Sequence, residues 1–96
     1  MRKVFKYDIP VDDRPSVSLP KGAQILSVGQ ILSVGAQGLG IKLWALVDPS
    51  ETTAEVHQLR VVGTGHAIVD GDLVFLGTVT FHDGALVFHV FEVCHA

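Results

Sequence analysis

The sequence predicts an all-β fold, a small antiparallel sandwich or barrel of six to eight strands. Three observations point to it. Several short stretches alternate apolar and polar residues with the period of two that a half-buried strand requires. No stretch sustains the helical period. Two Asp-Gly pairs, Asp70-Gly71 and Asp83-Gly84, sit between such stretches as tight-hairpin signals.

The first strand is expected over 2–9. Lys3, Phe5, Tyr7 and Ile9 point one way, and Val4, Lys6 and Asp8 the other. Its lysines suit a sheet edge, where they discourage further pairing. Pro10 ends it, and 12–15 is a polar turn. Residues 16–19 form a short extended piece stopped by Pro20, and Lys21-Gly22 turns the chain.

Next comes one hexapeptide written twice, QILSVGQILSVG, over 24–35. Six residues preserve strand parity, so a sheet can absorb the second copy. As one strand, Leu26, Val28 and Gln30 share a face, opposite Ile25, Ser27 and Gly29. A hairpin with Gly29-Gln30 at its tip is the other arrangement. One long or bulged strand is favoured, since the hairpin brings apolar residues to both faces of two short strands. A tandem duplication, natural or made in the laboratory, accounts for the repeat. The competing reading is an exposed strand that recruits another copy of the chain.

Residues 36–40 form a glycine-rich link. Over 41–47 the alternation is regular: Ile41, Leu43, Ala45 and Val47 on one side, Lys42, Trp44 and Leu46 on the other. Asp48-Pro49-Ser50-Glu51 is a turn or single helical turn with Asp48 as its cap. A polar loop leads to a strand over 56–62, where Gly63-Thr64-Gly65-His66 makes a bulge or tight bend. With Asp83-Gly84 at a hairpin tip, Phe81 faces Leu86, Val79 faces Phe88 and Thr78 faces His89. Phe75, Val79, Phe81, Leu86, Phe88 and Val90 then share a core face. The other face is polar near the turn and apolar at its base, with Leu76, Phe91, Val74 and Val93. The N-terminal strand or another subunit is expected to cover that base.

The 96 residues make a single β domain, 1–96, long enough for one core. Hydrophobic content is 48% against 18% charged, which argues against disorder and leaves apolar surface for a homo-oligomer. The formal net charge is -3, and Arg2, Lys3 and Lys6 are the one close basic cluster, so general nucleic-acid binding is not expected. A lone cysteine, Cys94, excludes a disulfide framework within the chain and a cysteine-based zinc site. No apolar run reaches the roughly 18–20 residues of a membrane span. The N-terminus lacks the apolar stretch of a signal peptide. A cytoplasmic protein without membrane contact is the expectation.

Candidate sites are few. Gly63, Thr64, Gly65 and His66 let the backbone approach a ligand, and free N–H groups there can hold a phosphate. The run lacks the lysine and following helix of a phosphate loop, so a bend beside a histidine is the competing reading. Trp44, with Lys42 and a neighbouring Phe91, offers a stacking surface or a partner anchor; a core role competes. His57, His66, His82, His89 and His95 include no set with zinc-ligand geometry, because His82 and His89 share a face but stand too far apart. No metal and no cofactor are expected. Cys94-His95 does not make a nucleophile with its base, since adjacent strand residues point apart. Asp70, Asp72 and Asp83 are explained as turn residues. An enzyme is therefore not expected.

The stretches KVFKYDIP, SLPKGAQILSVG, KLWALVDP, VVGTGHAI and FLGTVTFHDGALVFHVFE together resemble a family of small proteins from bacteriophages and their bacterial hosts, over nearly the whole chain. That family has no assigned function, so the resemblance carries over no site residues. It implies a phage or prophage origin and a single ILSVG-like segment, from which the doubled copy departs. The expected function is a non-enzymatic phage accessory binding protein in the cytoplasm of an infected host. It would counter host defence by binding a host protein or sequestering a small nucleotide-like signal. A structural or assembly role in the virion is the alternative.

Overall fold

The structure is a computed structural model, and it describes residues 1–31, 40–69 and 71–94. Seven strands appear: β1 (Lys3–Pro10), β2 (Ser16–Pro20), β3 (Gln24–Ile31), β4 (Gly40–Val47), β5 (Ala54–Gly63), β6 (Leu73–Phe81) and β7 (Leu86–Val93). They form two antiparallel sheets, β1-β4-β3 and β2-β5-β7-β6. β3 packs across on β6, and β1 touches β2, which makes a small sandwich.

The core lies between the sheets. Ile9, Ile41, Leu43, Ala45 and Val47 come from the three-stranded sheet; Leu19, Leu59, Val61, Val79, Phe81 and Val90 come from the other. β4 is the central strand of its sheet and alternates without a break, its four apolar odd positions buried. β1 is an edge strand. It lies in the sheet of β4 and touches β2, so of the two covers expected for the base of β6 and β7, the N-terminal strand is not the one that lies there.

Turn chemistry closes the links. Gly22, at φ +84°, lies just past β2, where Ala23 N donates to Pro20 O at 3.0 Å. After β4, Glu51 N donates to Asp48 O at 3.0 Å, and Asp48 Oδ1 accepts from Ser50 Oγ at 2.7 Å and Ser50 N at 3.0 Å. The Ser50 hydroxyl, then its backbone N–H, hold the Asp48 carboxyl below its ordinary pKa, because both bonds favour the charged form. Between β6 and β7, Phe81 faces Leu86, and Gly84 N donates to Phe81 O at 3.2 Å.

Two β-bulges change which side chains face inward. In β3 the register slips between Ile25 and Ser27, so Leu26 is the extra residue. Ile25 and Val28 both pack on the core, although strict alternation separates them, and Leu26 is exposed. β3 runs through Gly29 and Gln30, which face Lys42 and Ile41, so no hairpin forms there. The rest of the second hexapeptide, and the link over 36–39, lie outside the described residues; Gly40 already belongs to β4. In β6 the slip falls between Phe75 and Gly77. Leu76 therefore turns to the core, and Phe75 goes to the outer face against Phe91, with ring centroids 5.4 Å apart. Leu86, expected in the core, is exposed beside the hairpin.

The signal at Asp70-Gly71 does not make a β5–β6 hairpin. Residues 64–69 carry no strand, Asp70 lies outside the described residues, and β5 and β6 flank β7. Two strands that are each antiparallel to β7 run parallel to one another. Parallel strands need a crossover rather than a two-residue turn. The described part of that connection after Gly63, residues 64–69, shapes the candidate site.

Candidate functional site

β5 sets one wall. It is held by β2, and the ladder is prolonged past Ser16 because Leu59 N donates to Pro15 O at 2.8 Å and Val61 N to Asp13 O at 3.1 Å. The polar turn between β1 and β2 is thereby laid alongside the end of β5. At Gly63 the strand stops. His66 N donates to Gly63 O at 3.1 Å, and Gly65 takes φ +87°. The glycines at 63–65 make a turn that ends β5, so the tight bend is the reading that holds and the bulge is not. The His66 ring folds against Gly63, where a Cβ would come within 3.3 Å of it.

Between these segments lies a cleft of about 340 Å³. Asp13 and Arg14 come from the first turn, Arg60 and Gly63 from β5, His66 and Ile68 from the crossover, and Phe88 from β7. Its lining includes two arginines and one aspartate, in a chain whose formal net charge is -3. Arg60 is braced, its Nη1 donating to Leu59 O at 2.8 Å. The volume is at the lower end of small-molecule sites, and the mix of apolar wall and a few polar groups is typical of them.

Of the five candidate residues, Gly63 and His66 line the cleft. Thr64 is engaged elsewhere, its Oγ1 lying 2.7 Å from His89 Nε2. Gly65 supplies the backbone conformation of the turn. Trp44 is not part of the site. It is half-buried on the outer face of the other sheet, level with Lys6 and Ser27, with Lys42 Nζ 5.1 Å from its ring centroid. A Cβ on Gly29 would meet the ring at 3.2 Å, so the strand beside it is glycine where the indole lies. Phe91 sits in the opposite sheet beside Phe75 and is no neighbour of Trp44 in either ladder.

A second polar pair lies on the inner face. His57 Nδ1 is 2.5 Å from Glu92 Oε2, with the two side chains 15% and 25% exposed. A carboxylate only accepts, so in this contact Nδ1 is the donor. Nε2 is buried and has no hydrogen-bond partner among the described residues. Among the described residues, no group of three or more His, Cys, Asp or Glu side chains is placed to hold a metal ion. No helix among them is long and apolar enough to cross a membrane.

Sequence reasoning missed Asp13, Arg14, Arg60 and Phe88, which no motif joins. One signal was present: Arg60 is the sole cation inside an otherwise apolar run, LRVV. His57 and Glu92 stand 35 residues apart, and only the β5–β7 register brings them together.

The fold and cleft define a small all-β sandwich with a cationic, partly apolar recess at the end of one sheet. The chain belongs to the DUF7352 family, described as a domain of unknown function, whose model matches residues 1–96. No curated protein and no solved structure matches it.

Proposed function

We propose that this protein is a non-enzymatic binding module that takes a small anionic, nucleotide-like molecule into the cleft between the 12–15 turn, the end of β5 and the crossover. One observation carries the reading: Arg14, Arg60 and His66 stand around a recess with Phe88 and Ile68 in its wall. Guanidinium groups suit a phosphate, and the apolar wall suits a flat ring. The resemblance to small phage and prophage proteins supplies the setting, an accessory protein in the cytoplasm of an infected host that removes a signal from solution. Native mass spectrometry of protein purified from infected cells reads copy number and retained ligand together. Calorimetric titration with AMP supplies a defined probe. AMP is expected to bind wild type, and Arg14→Ala to weaken it about tenfold, the loss of one charged hydrogen bond. No binding by AMP and no retained small molecule would sink the reading.

A second reading is an assembly protein, in a homo-oligomer or in the virion. It is favoured by the exposed Phe75, which lies beside Phe91 on the outer face of β6 and β7. A monomer in native mass spectra, together with absence from purified particles, removes it.

A further inference from the structure

We infer that His89 is a positioning residue for the cleft, which it shapes by tying the turn at 63–66 to the sheet; the functional part of this rests on the reading of the cleft given above. His89 lies on the outer face of β7, the strand between β5 and β6. Its Nε2 is 2.7 Å from Thr64 Oγ1 and its Nδ1 is 3.0 Å from Thr78 Oγ1. The ring thus links the turn after β5 to β6 across the sheet.

The turn needs such a link. Its glycines, Gly63 and Gly65, permit many backbone conformations, and among the described residues one backbone bond closes it, from His66 N to Gly63 O at 3.1 Å. Thr64 is held on the outer face, and His66, two residues on, lines the cleft. Fixing Thr64 therefore fixes where the His66 ring and the start of the crossover stand. Threonine hydroxyls both donate and accept, so the two contacts persist whichever ring nitrogen carries the proton, and also when both do. The clamp is thus a structural link that does not depend on a particular tautomer.

Thr64→Val removes the hydroxyl and keeps the shape; Thr64→Ser keeps the hydroxyl. Thr64 is exposed, so both variants are compatible with the fold. Two readouts are taken: hydrogen exchange of the His66 amide by NMR, and AMP affinity by calorimetry. In Thr64→Val, His66 exchange is expected to rise and AMP affinity to fall, each about fivefold, for the loss of one hydrogen bond. The Val90 amide in β7 is expected to be unchanged, and Thr64→Ser to restore both readouts. Unchanged His66 exchange in Thr64→Val, or failure of Thr64→Ser to restore it, overturns the clamp. A wild type that does not bind AMP overturns the cleft as a nucleotide site, and the exchange measurement still decides the clamp by itself.

Discussion

Three consecutive residues hold positive φ at the tip of the β6–β7 hairpin: His82 at 52°, Asp83 at 53° and Gly84 at 90°. Histidine and aspartate are among the side chains that tolerate this region best, and glycine has no Cβ to clash there. An L side chain at the third position pushes its Cβ toward the carbonyl. Gly84→Ala has open space around it, so its cost is conformational alone, about 1–2 kcal/mol. Urea denaturation should show the midpoint falling with an unchanged slope. An unshifted midpoint would mean that the loop relaxes to another turn type. The Asp-Gly pair was legible at this position because turn chemistry is local. The other pair falls on Asp70, outside the described residues; β5 and β6, the strands on either side of it, are not neighbours in the sheet, and two adjacent residues cannot specify strand order.

Strand β4 could be read directly, since each of its side chains meets the same environment as the one two residues on. β3 and β6 could not be read this way. Each carries one extra residue, Leu26 or Leu76, that reverses the alternation beyond it. The bulges are adjacent to a tight contact: a Cβ on Gly77 would stand 2.8 Å from Val28 Cγ2, where β3 and β6 cross. Glycine at this point lets the two sheets approach. The repeat belongs to this scale as well. Deleting either hexapeptide yields the same chain, with one QILSVG. Since β3 needs the first copy and two residues beyond it, Gln30 and Ile31, the single-copy variant is expected to replace those two by Ala and Gln and keep the ladder to β4. Circular dichroism and a thermal melt should show the same strand content, with a shift of a few degrees for the lost Ile31 contact, in line with about 1 kcal/mol. A chain that no longer melts cooperatively would show the second copy to be essential.

At the scale of the molecule, the two sheets are held by side chains that no single strand supplies. Leu43, fully buried on β4, packs into a core to which both sheets contribute. Leu43→Ala is expected to cost about 2–5 kcal/mol, the transfer term plus the cavity it leaves. Chemical denaturation measures it, and a loss under about 1 kcal/mol would mean the sandwich interior collapses around the gap. The cleft belongs to this scale too. Its polar side chains are Asp13 and Arg14, Arg60, and His66, drawn from three separate segments. Gly63 and His66 were legible as a place where backbone and ligand can meet, because glycine spacing is a local property. Arg14 and Arg60 were not, because their proximity depends on the 13–15 segment lying along β5.

The sequence by itself determined the class of fold, the positions of most strands, the β6–β7 hairpin and its pairing, and the buried face of β4. Period-two alternation and left-handed turn residues act within a few positions along the chain, so they can be read there. Only the tertiary structure decided the strand order, the two bulges, the parallel placing of β5 and β6 on either side of β7 and the recess after Gly63. Each of these depends on which strand lies next to which, a choice made by burying the apolar faces of two sheets against one another rather than by any one stretch of residues.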